Sequence, residues 1–161
     1  MPQQNTGYTV EQLSDHLQLE KLINTYHWRA DSLDWVGWSE TFTEDAVFNL
    51  PNSFGLLKGR KEILEVCRGN MAHVYKIMQH IMINLDFELT GADSATGHAN
   101  LIFTGVADPS EPTQYVQSGG RYVWEFRRTA AGWRIHKAHL DFIWNNGGDK
   151  ESVLKSKAQA R

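Results

Sequence analysis

The chain has 161 residues, of which 41% are hydrophobic and 22% are charged, and its formal net charge at pH 7 is -3. This length and hydrophobic content predict one compact domain and exclude disorder as its overall state. With 16 basic residues against 19 acidic ones, the chain has no excess of positive charge to attract a nucleic acid or an anionic membrane. We therefore expect neither of them as a partner.

The chain begins with helical segments. Residues 1–8 are polar and are expected to fray, and Thr9 or Ser14 can cap a helix that ends near Ser32. A second, short helix is predicted over residues 34–42. The apolar side chains of the first helix recur at helical spacing and comprise Leu19, Leu22, Ile23, Tyr26, Ala30 and Leu33.

The rest of the chain is richer in strands. A brief strand at 46–50 and a loop at 51–55 precede a third helix over 59–72. Helices followed by a meander of strands indicate an α+β fold, and short connections make neighbouring strands antiparallel. The predicted domain covers residues 9–145 and is followed by a polar tail at 146–161. Four long strands are predicted, at 75–89, 94–106, 114–128 and 132–144.

The first long strand has two largely apolar faces, so both faces should be covered. We expect helices on one face and a second copy of the chain on the other, which predicts a homo-oligomer, either a dimer or a trimer. Symmetric pairing with the next strand would set His80 opposite Phe103 or Thr104. The even positions combine adaptable thioethers with isolated polar groups, a composition that favours a ligand pocket, and they are Met78, His80, Met82 and Asn84.

Several kinds of site are excluded by the sequence. Cys67 is the only cysteine and can form no internal disulfide, and no nucleotide-binding or metal-binding motif is present, so we expect no metal and no cofactor. The pair Gly119–Gly120 lies within a predicted strand and indicates a bulge rather than a phosphate site. The N-terminus has no signal-peptide pattern, and no apolar run could span a bilayer, so a cytoplasmic location is predicted.

A histidine and a carboxylate remain as candidates for chemistry. An Asp31 carboxylate that accepts a hydrogen bond from one ring nitrogen of His80 would make the other nitrogen a general base, with Tyr26 as hydrogen-bond donor. His27, four residues before Asp31, is a rival partner for this carboxylate. On an ideal helix Asp31 also lies roughly 140° from Tyr26, so both would reach one cavity only if the helix ends or distorts near Ala30.

The sequence also resembles a known family. The segments that carry the resemblance lie within residues 10–142 and are LEKLINTYHWRADSLDWVGWSETFTEDAVFNL, GLLKGRKEILEV, MQHIMINLDFELTGADSATGHANLIF and GGRYVWEFRRTAAGWRIHKAHL. They are similar to the SnoaL-like families of the nuclear-transport-factor-2-like superfamily. The resemblance implies a cone-shaped α+β barrel, in which a curved, mixed and mainly antiparallel sheet wraps round N-terminal helices and encloses an apolar pocket.

The resemblance also implies a catalytic dyad. In the branches of bile-acid dehydratases, scytalone dehydratases and lindane dehydrochlorinases, an Asp on the first helix and a His on the long strand act together. Asp31 in ADSLDW and His80 in MQHIMIN match these positions, and Tyr26 matches a tyrosine of the bile-acid enzymes. Phe103 and Phe142 stand near positions where the bile-acid enzymes carry an acidic residue and an arginine. These two departures argue against steroid dehydration.

We therefore predict a cofactor-independent lyase that acts by elimination on a small apolar, aromatic substrate, through His80, Asp31 and Tyr26. An isomerase or cyclase with the same dyad is an alternative. A non-catalytic ligand-binding protein, or a small subunit such as that of a ring-hydroxylating dioxygenase, is another, because fold does not decide function. The predicted substrate-binding residues are Trp35, Trp38, Phe48, Met82, Phe103, Tyr122, Phe142 and Trp144.

Overall fold

A computed structural model describes residues 7–51 and 53–146. Three helices lie on one side of a single sheet: α1 (Val10–Asp31), α2 (Trp35–Ser39) and α3 (Arg60–Val74). The six strands are β1 (Phe42–Leu50), β2 (Gly55–Lys58), β3 (Ile77–Gly91), β4 (Ser94–Val106), β5 (Tyr115–Thr129) and β6 (Gly132–Asn145). The predicted α+β class is confirmed.

The sheet has the strand order β2-β1-β6-β5-β4-β3. Strands β1 and β6 are parallel, and all the other neighbours are antiparallel, so the sheet is mixed and mainly antiparallel as predicted. It curves round the helices but does not close, because β2 and β3 are its two edges and are not paired with each other. The predicted barrel is therefore an open, curved sheet.

The first helix begins at Val10, directly after its N-cap residue Thr9. The Thr9 hydroxyl accepts a hydrogen bond from the Gln12 backbone N–H, and the Gln12 side chain accepts one from the Thr9 backbone N–H. This reciprocal pair satisfies two of the amide groups that a helix start leaves unpaired. Of the predicted termini, residues 1–6 and 147–161 lie outside the described residues. In the described part, none of the three helices combines the length and apolarity needed to span a bilayer.

Three elements differ most from the sequence prediction. Strand β1 begins at Phe42 rather than at residue 46, because Phe42 pairs with Ile135 of β6 and the Thr41 carbonyl accepts the Ile135 N–H at 2.9 Å. The short helix before it ends correspondingly early. The predicted loop at 51–55 leads into β2, which folds back on β1 as a hairpin in which Gly55 has a positive φ of 74°.

The two faces of β3 are covered unequally. Met78 and His80 face the helices, whereas Ile77, Ile81 and Ile83 on the opposite face are 42–47% exposed. That a second copy of the chain covers this outer face stays a prediction. Multi-angle light scattering should give at least twice the mass of one chain at micromolar concentration, and Ile81→Lys should shift the mass toward that of one chain. A monomeric mass for the wild type would contradict the prediction.

Candidate active site

A cavity of about 90 Å³ lies between the helices and the inner face of the sheet. Its volume is below the roughly 300–1,000 Å³ of pockets for drug-sized ligands, so it suits a small molecule. No Asp, Glu, Lys or Arg side chain lines it in the described part of the chain. Six of the eight predicted substrate-binding residues are in its wall, namely Trp35, Trp38, Phe48, Phe103, Tyr122 and Phe142.

The other two residues lie outside the cavity wall, which corrects their predicted placement. Met82 is half-buried and packs against the core two residues beyond His80 on the same strand face. Trp144 is 46% exposed, because a bulge in β6 interrupts the alternation of its side chains. Phe142 pairs with Gly120 while Trp144 pairs with Gly119, so these two aromatic rings lie on opposite faces of the sheet.

The predicted pair of Asp31 and His80 is in contact. The His80 ring nitrogen Nδ1 is 2.5 Å from Asp31 Oδ1, and the His80 backbone N–H donates to Asp31 Oδ2 at 3.0 Å. With the carboxylate ionised, Nδ1 carries the proton and donates it, so the lone pair is left on Nε2. His80 lines the cavity, and Nε2 has no hydrogen-bond partner among the described residues. This nitrogen can therefore accept a proton from a bound molecule.

The end of α1 holds Asp31 in position. Beyond this last helical residue, the Asp34 N–H donates to the Arg29 carbonyl at 2.8 Å and the Leu33 N–H to the Ala30 carbonyl at 3.0 Å. These bonds define a Schellman motif, in which Leu33 has a φ of 60° where glycine is usual. The motif ends the helix at Asp31, with Ser32 as the C-cap, and the Asp31 carboxylate lies at the helix end next to β3.

Tyr26 and Asp31 point in directions about 140° apart on α1, and no distortion of the helix is needed to explain this. The two side chains do not share the same surroundings. Tyr26 lines the cavity, while Asp31 is outside its wall and approaches His80 from the side opposite Nε2. The helix continues regularly through Ala30 to Asp31. Tyr26 therefore lies in the cavity wall, whereas Asp31 contacts His80 from outside it.

The hydroxyl groups of Tyr26 and Tyr122 are 3.2 Å apart and form a buried hydrogen bond. Burial raises the pKa of both phenols, so both keep their protons at neutral pH. In such a pair one hydroxyl donates to the other, and the accepting hydroxyl can donate its own proton to an oxygen or halogen of a ligand. Cys67 also lines the cavity, but burial raises the pKa of its thiol to about 12, so it is not a nucleophile at neutral pH.

His27 does not compete for Asp31. Its ring is buried at 5% exposure, and neither of its nitrogens has a hydrogen-bond partner among the residues that the structure describes. The ring centroid lies 5.4 Å from that of His80 and 6.1 Å from that of Tyr122. Burial, and then the charge that His80 can carry, hold the pKa of His27 well below its usual range, so this imidazole is neutral.

Four polar residues of the wall are absent from the sequence prediction, namely Ser53, Tyr75, Ser118 and Asn145. Ser118 and Asn145 pair across β5 and β6 and both line the cavity. Alternation along β5 from Tyr122 could have identified Ser118, which lies four residues earlier and therefore on the same face. Asn145 has no such signal, because the bulge after Phe142 reverses the alternation of β6.

The donor groups of the described residues favour proton transfer over metal ligation. Among residues 7–51 and 53–146, no three His, Cys, Asp or Glu side chains are grouped closely enough to hold a metal ion. The polar groups of the residues that line the cavity are one imidazole, three phenols, two serine hydroxyls, one amide, two indoles and one thiol. They are suited to hydrogen bonding and proton transfer.

An open curved sheet packed on three helices, with a His–carboxylate pair at an apolar cavity, defines the class of protein. Within that class, the SnoaL-like domain family matches residues 11–139. The chain therefore belongs to the SnoaL-like domain family, and the predicted resemblance is confirmed. Among curated protein sequences, none matches the chain significantly.

Solved structures with the same fold include three that are informative. A proposed aromatic ring hydroxylase from Novosphingobium aromaticivorans is 27% identical, with a TM-score of 0.72 over 82% of this chain and 91% of its own. A hexachlorocyclohexane dehydrochlorinase from Novosphingobium barchaimii is 18% identical, with a TM-score of 0.74 over 84% and 91%. A proposed scytalone dehydratase from Novosphingobium aromaticivorans is 13% identical, with a TM-score of 0.74 over 83% and 87%. The last two likenesses concern the fold alone.

Proposed function

We propose that this protein is a cofactor-independent lyase that eliminates a leaving group from a small, neutral and largely apolar ring compound. The observation that carries the proposal is the contact of His80 Nδ1 with Asp31 beside an apolar cavity, with Nε2 unpartnered among the described residues. Elimination is the reaction named for two proteins of the same fold, a dehydrochlorinase and a dehydratase. Both are similar to this chain in fold.

The proposed reaction uses one base and one hydrogen-bond donor. His80 Nε2 removes a proton from a carbon next to the one that bears the leaving group. The electrons of the broken C–H bond form a double bond, and the leaving group departs with its own bonding pair. Asp31 stabilises the imidazolium that forms, and the Tyr26 hydroxyl donates to the leaving group or to the oxygen on which charge develops. His80 then returns its proton to the solvent or to the leaving group.

An isomerase or cyclase with the same dyad would begin with the same proton abstraction. It would return the proton to another carbon of the substrate and lose no group. A second alternative is a small subunit or a ligand-binding member, because the same fold can serve functions without catalysis. In that case the cavity would bind a ligand without converting it, or its walls would have a structural role only.

Mass spectrometry of reaction mixtures separates these functions. The protein is incubated in D₂O with a panel of neutral single-ring compounds that carry a hydroxyl or halide next to an acidic C–H bond. A lyase gives a product whose mass is lower by that of water or of the hydrogen halide. An isomerase loses no group, so its product differs in mass only by the deuterium taken up from the solvent.

The same incubation with two histidine variants tests the assignment of the base. Product should disappear with His80→Gln and persist with His98→Gln, because His98 is exposed outside the cavity. Full activity of His80→Gln would contradict the dyad. A wild-type chain that copurifies with a larger partner and transforms none of the compounds would support the subunit alternative.

A further inference from the structure

Four inward-facing residues form a row across the sheet at the level of the dyad. His80 of β3 pairs with Phe103 of β4, Phe103 with Ser118 of β5, and Ser118 with Asn145 of β6. All four line the cavity. Since neighbouring strands are about 4.8 Å apart, the backbones of His80 and Ser118 are separated by roughly 10 Å, with Phe103 between them.

Phe103 forms the surface between these two polar residues. Its ring centroid lies 4.9 Å from that of His80 and 5.2 Å from that of Tyr75, so aromatic neighbours hold the ring on at least two sides. A flat apolar ligand over Phe103 would have His80 at one edge and Ser118 at the other.

Ser118 is the polar group on the far side of this surface. The residue is buried, at 7% exposure, and is part of the cavity wall. A serine hydroxyl in a cavity wall can both donate and accept a hydrogen bond. A bound molecule with a polar substituent at this edge could therefore bond to it.

The charge of the wall limits what that substituent can be. In the described part of the chain no Lys or Arg lines the cavity, so a carboxylate or phosphate would lose its hydration without a cationic partner. A hydroxyl, ether or carbonyl group carries no such penalty and can bond to a serine hydroxyl. The site therefore favours a neutral oxygen substituent.

From this row we infer that Ser118 is a specificity-determining residue, which binds a neutral oxygen substituent on the substrate ring at the edge opposite the carbon that His80 deprotonates. The inference rests on the proposed function, because it takes the position of the reacting carbon from His80. It narrows the substrate class to neutral single-ring compounds with a second, oxygen-bearing position. It gives Ser118 no part in proton transfer.

Binding of two nearly isosteric probes tests this role. p-Cresol and p-xylene differ in one hydroxyl that replaces one methyl group, and their dissociation constants are measured by NMR chemical-shift titration of the wild type and of Ser118→Ala. We expect Ser118→Ala to weaken p-cresol binding about threefold to tenfold relative to p-xylene binding, which corresponds to one net hydrogen bond.

Ser53→Ala is the matched control, because Ser53 is a second serine of the cavity wall and its buried hydroxyl lacks a partner among the described residues. The ratio of the two dissociation constants should be the same in this variant as in the wild type. An unchanged ratio in Ser118→Ala, or an equal change in Ser53→Ala, would overturn the inference. Because probe binding needs no proton transfer, this result is independent of whether His80→Gln abolishes turnover.

Discussion

Asp31→Asn is expected to slow turnover about 10²- to 10⁴-fold, although the substituted side chain touches neither the cavity nor a bound molecule. The loss should match that of His80→Gln, because the two residues act as one unit. Steady-state kinetics of both variants and of the double variant would measure it. The double variant should be no slower than the slower single one.

The physical reason is the position of one proton on the His80 ring. The Asp31 carboxylate only accepts hydrogen bonds, so it keeps the proton on Nδ1 and the lone pair on Nε2 of a ring that lines the cavity. The amide introduced by Asp31→Asn can donate its N–H to Nδ1 instead. The proton then moves to Nε2, and the ring presents a donor where the reaction needs a base.

The tautomer can be observed apart from activity. Nitrogen-15 NMR of the imidazole should show the Nδ1–H form in the wild type and a shift toward the Nε2–H form in Asp31→Asn. The melting temperature controls for damage to the fold, since Asp31 also accepts the His80 backbone N–H. Asp31→Asn with wild-type kinetics and an unchanged tautomer would contradict the proposed role of the carboxylate.

Local signals in the sequence were sufficient to predict much of this site. Asp31 follows a helical repeat and His80 lies on an inward strand position, and the symmetric pairing that sets His80 opposite Phe103 occurs in the sheet. The Gly119–Gly120 pair indicated a bulge, and the pairing of β5 with β6 does shift its register there. Each of these features depends on residues that are close in the chain or in one hairpin.

Features that depend on distant residues could not be predicted in the same way. The Tyr26–Tyr122 hydrogen bond joins positions 96 residues apart, so only the packing of α1 on the sheet reveals it. The outward turn of Trp144 depends on which strand takes up the extra residue at the bulge. The sequence indicates that a bulge is present, but the interstrand pairing decides that Ile143 is the residue skipped.

His27→Phe is expected to raise the free energy of unfolding at pH 7 by about 1–2 kcal/mol. In the folded protein both nitrogens of His27 are buried without partners among the described residues, whereas in the unfolded chain water satisfies them. Phenylalanine removes this cost and keeps a planar ring against Tyr26, His80 and Tyr122. Urea unfolding at pH 7 measures the change, and His27→Leu is a second variant in case the larger ring is overpacked.

The same substitution should change how stability depends on pH. Burial holds the pKa of His27 well below the ordinary histidine value of about 6.5, so the folded protein stays neutral at this position while the unfolded chain takes up a proton as the pH falls below that value. The free energy of unfolding of the wild type is therefore not reduced by protonation of His27 above about pH 6.5. Below that pH it falls by up to about 1.4 kcal/mol per pH unit, because the unfolded chain takes up the proton.

His27→Phe should make the free energy of unfolding less dependent on pH below about 6.5, because one fewer group takes up a proton on unfolding. Some dependence should remain, because His136 also has a pKa lowered by burial and by the charge of Arg127. His98→Phe is the control, since His98 is exposed. A fall in stability at pH 7 with both His27→Phe and His27→Leu would contradict this prediction. It would mean that the contacts of the imidazole stabilise the folded protein by more than the burial of its two nitrogens destabilises it. In that event the close approach of His27 to His80 would be a stabilising contact, and the buried ring would contribute to holding the base in place.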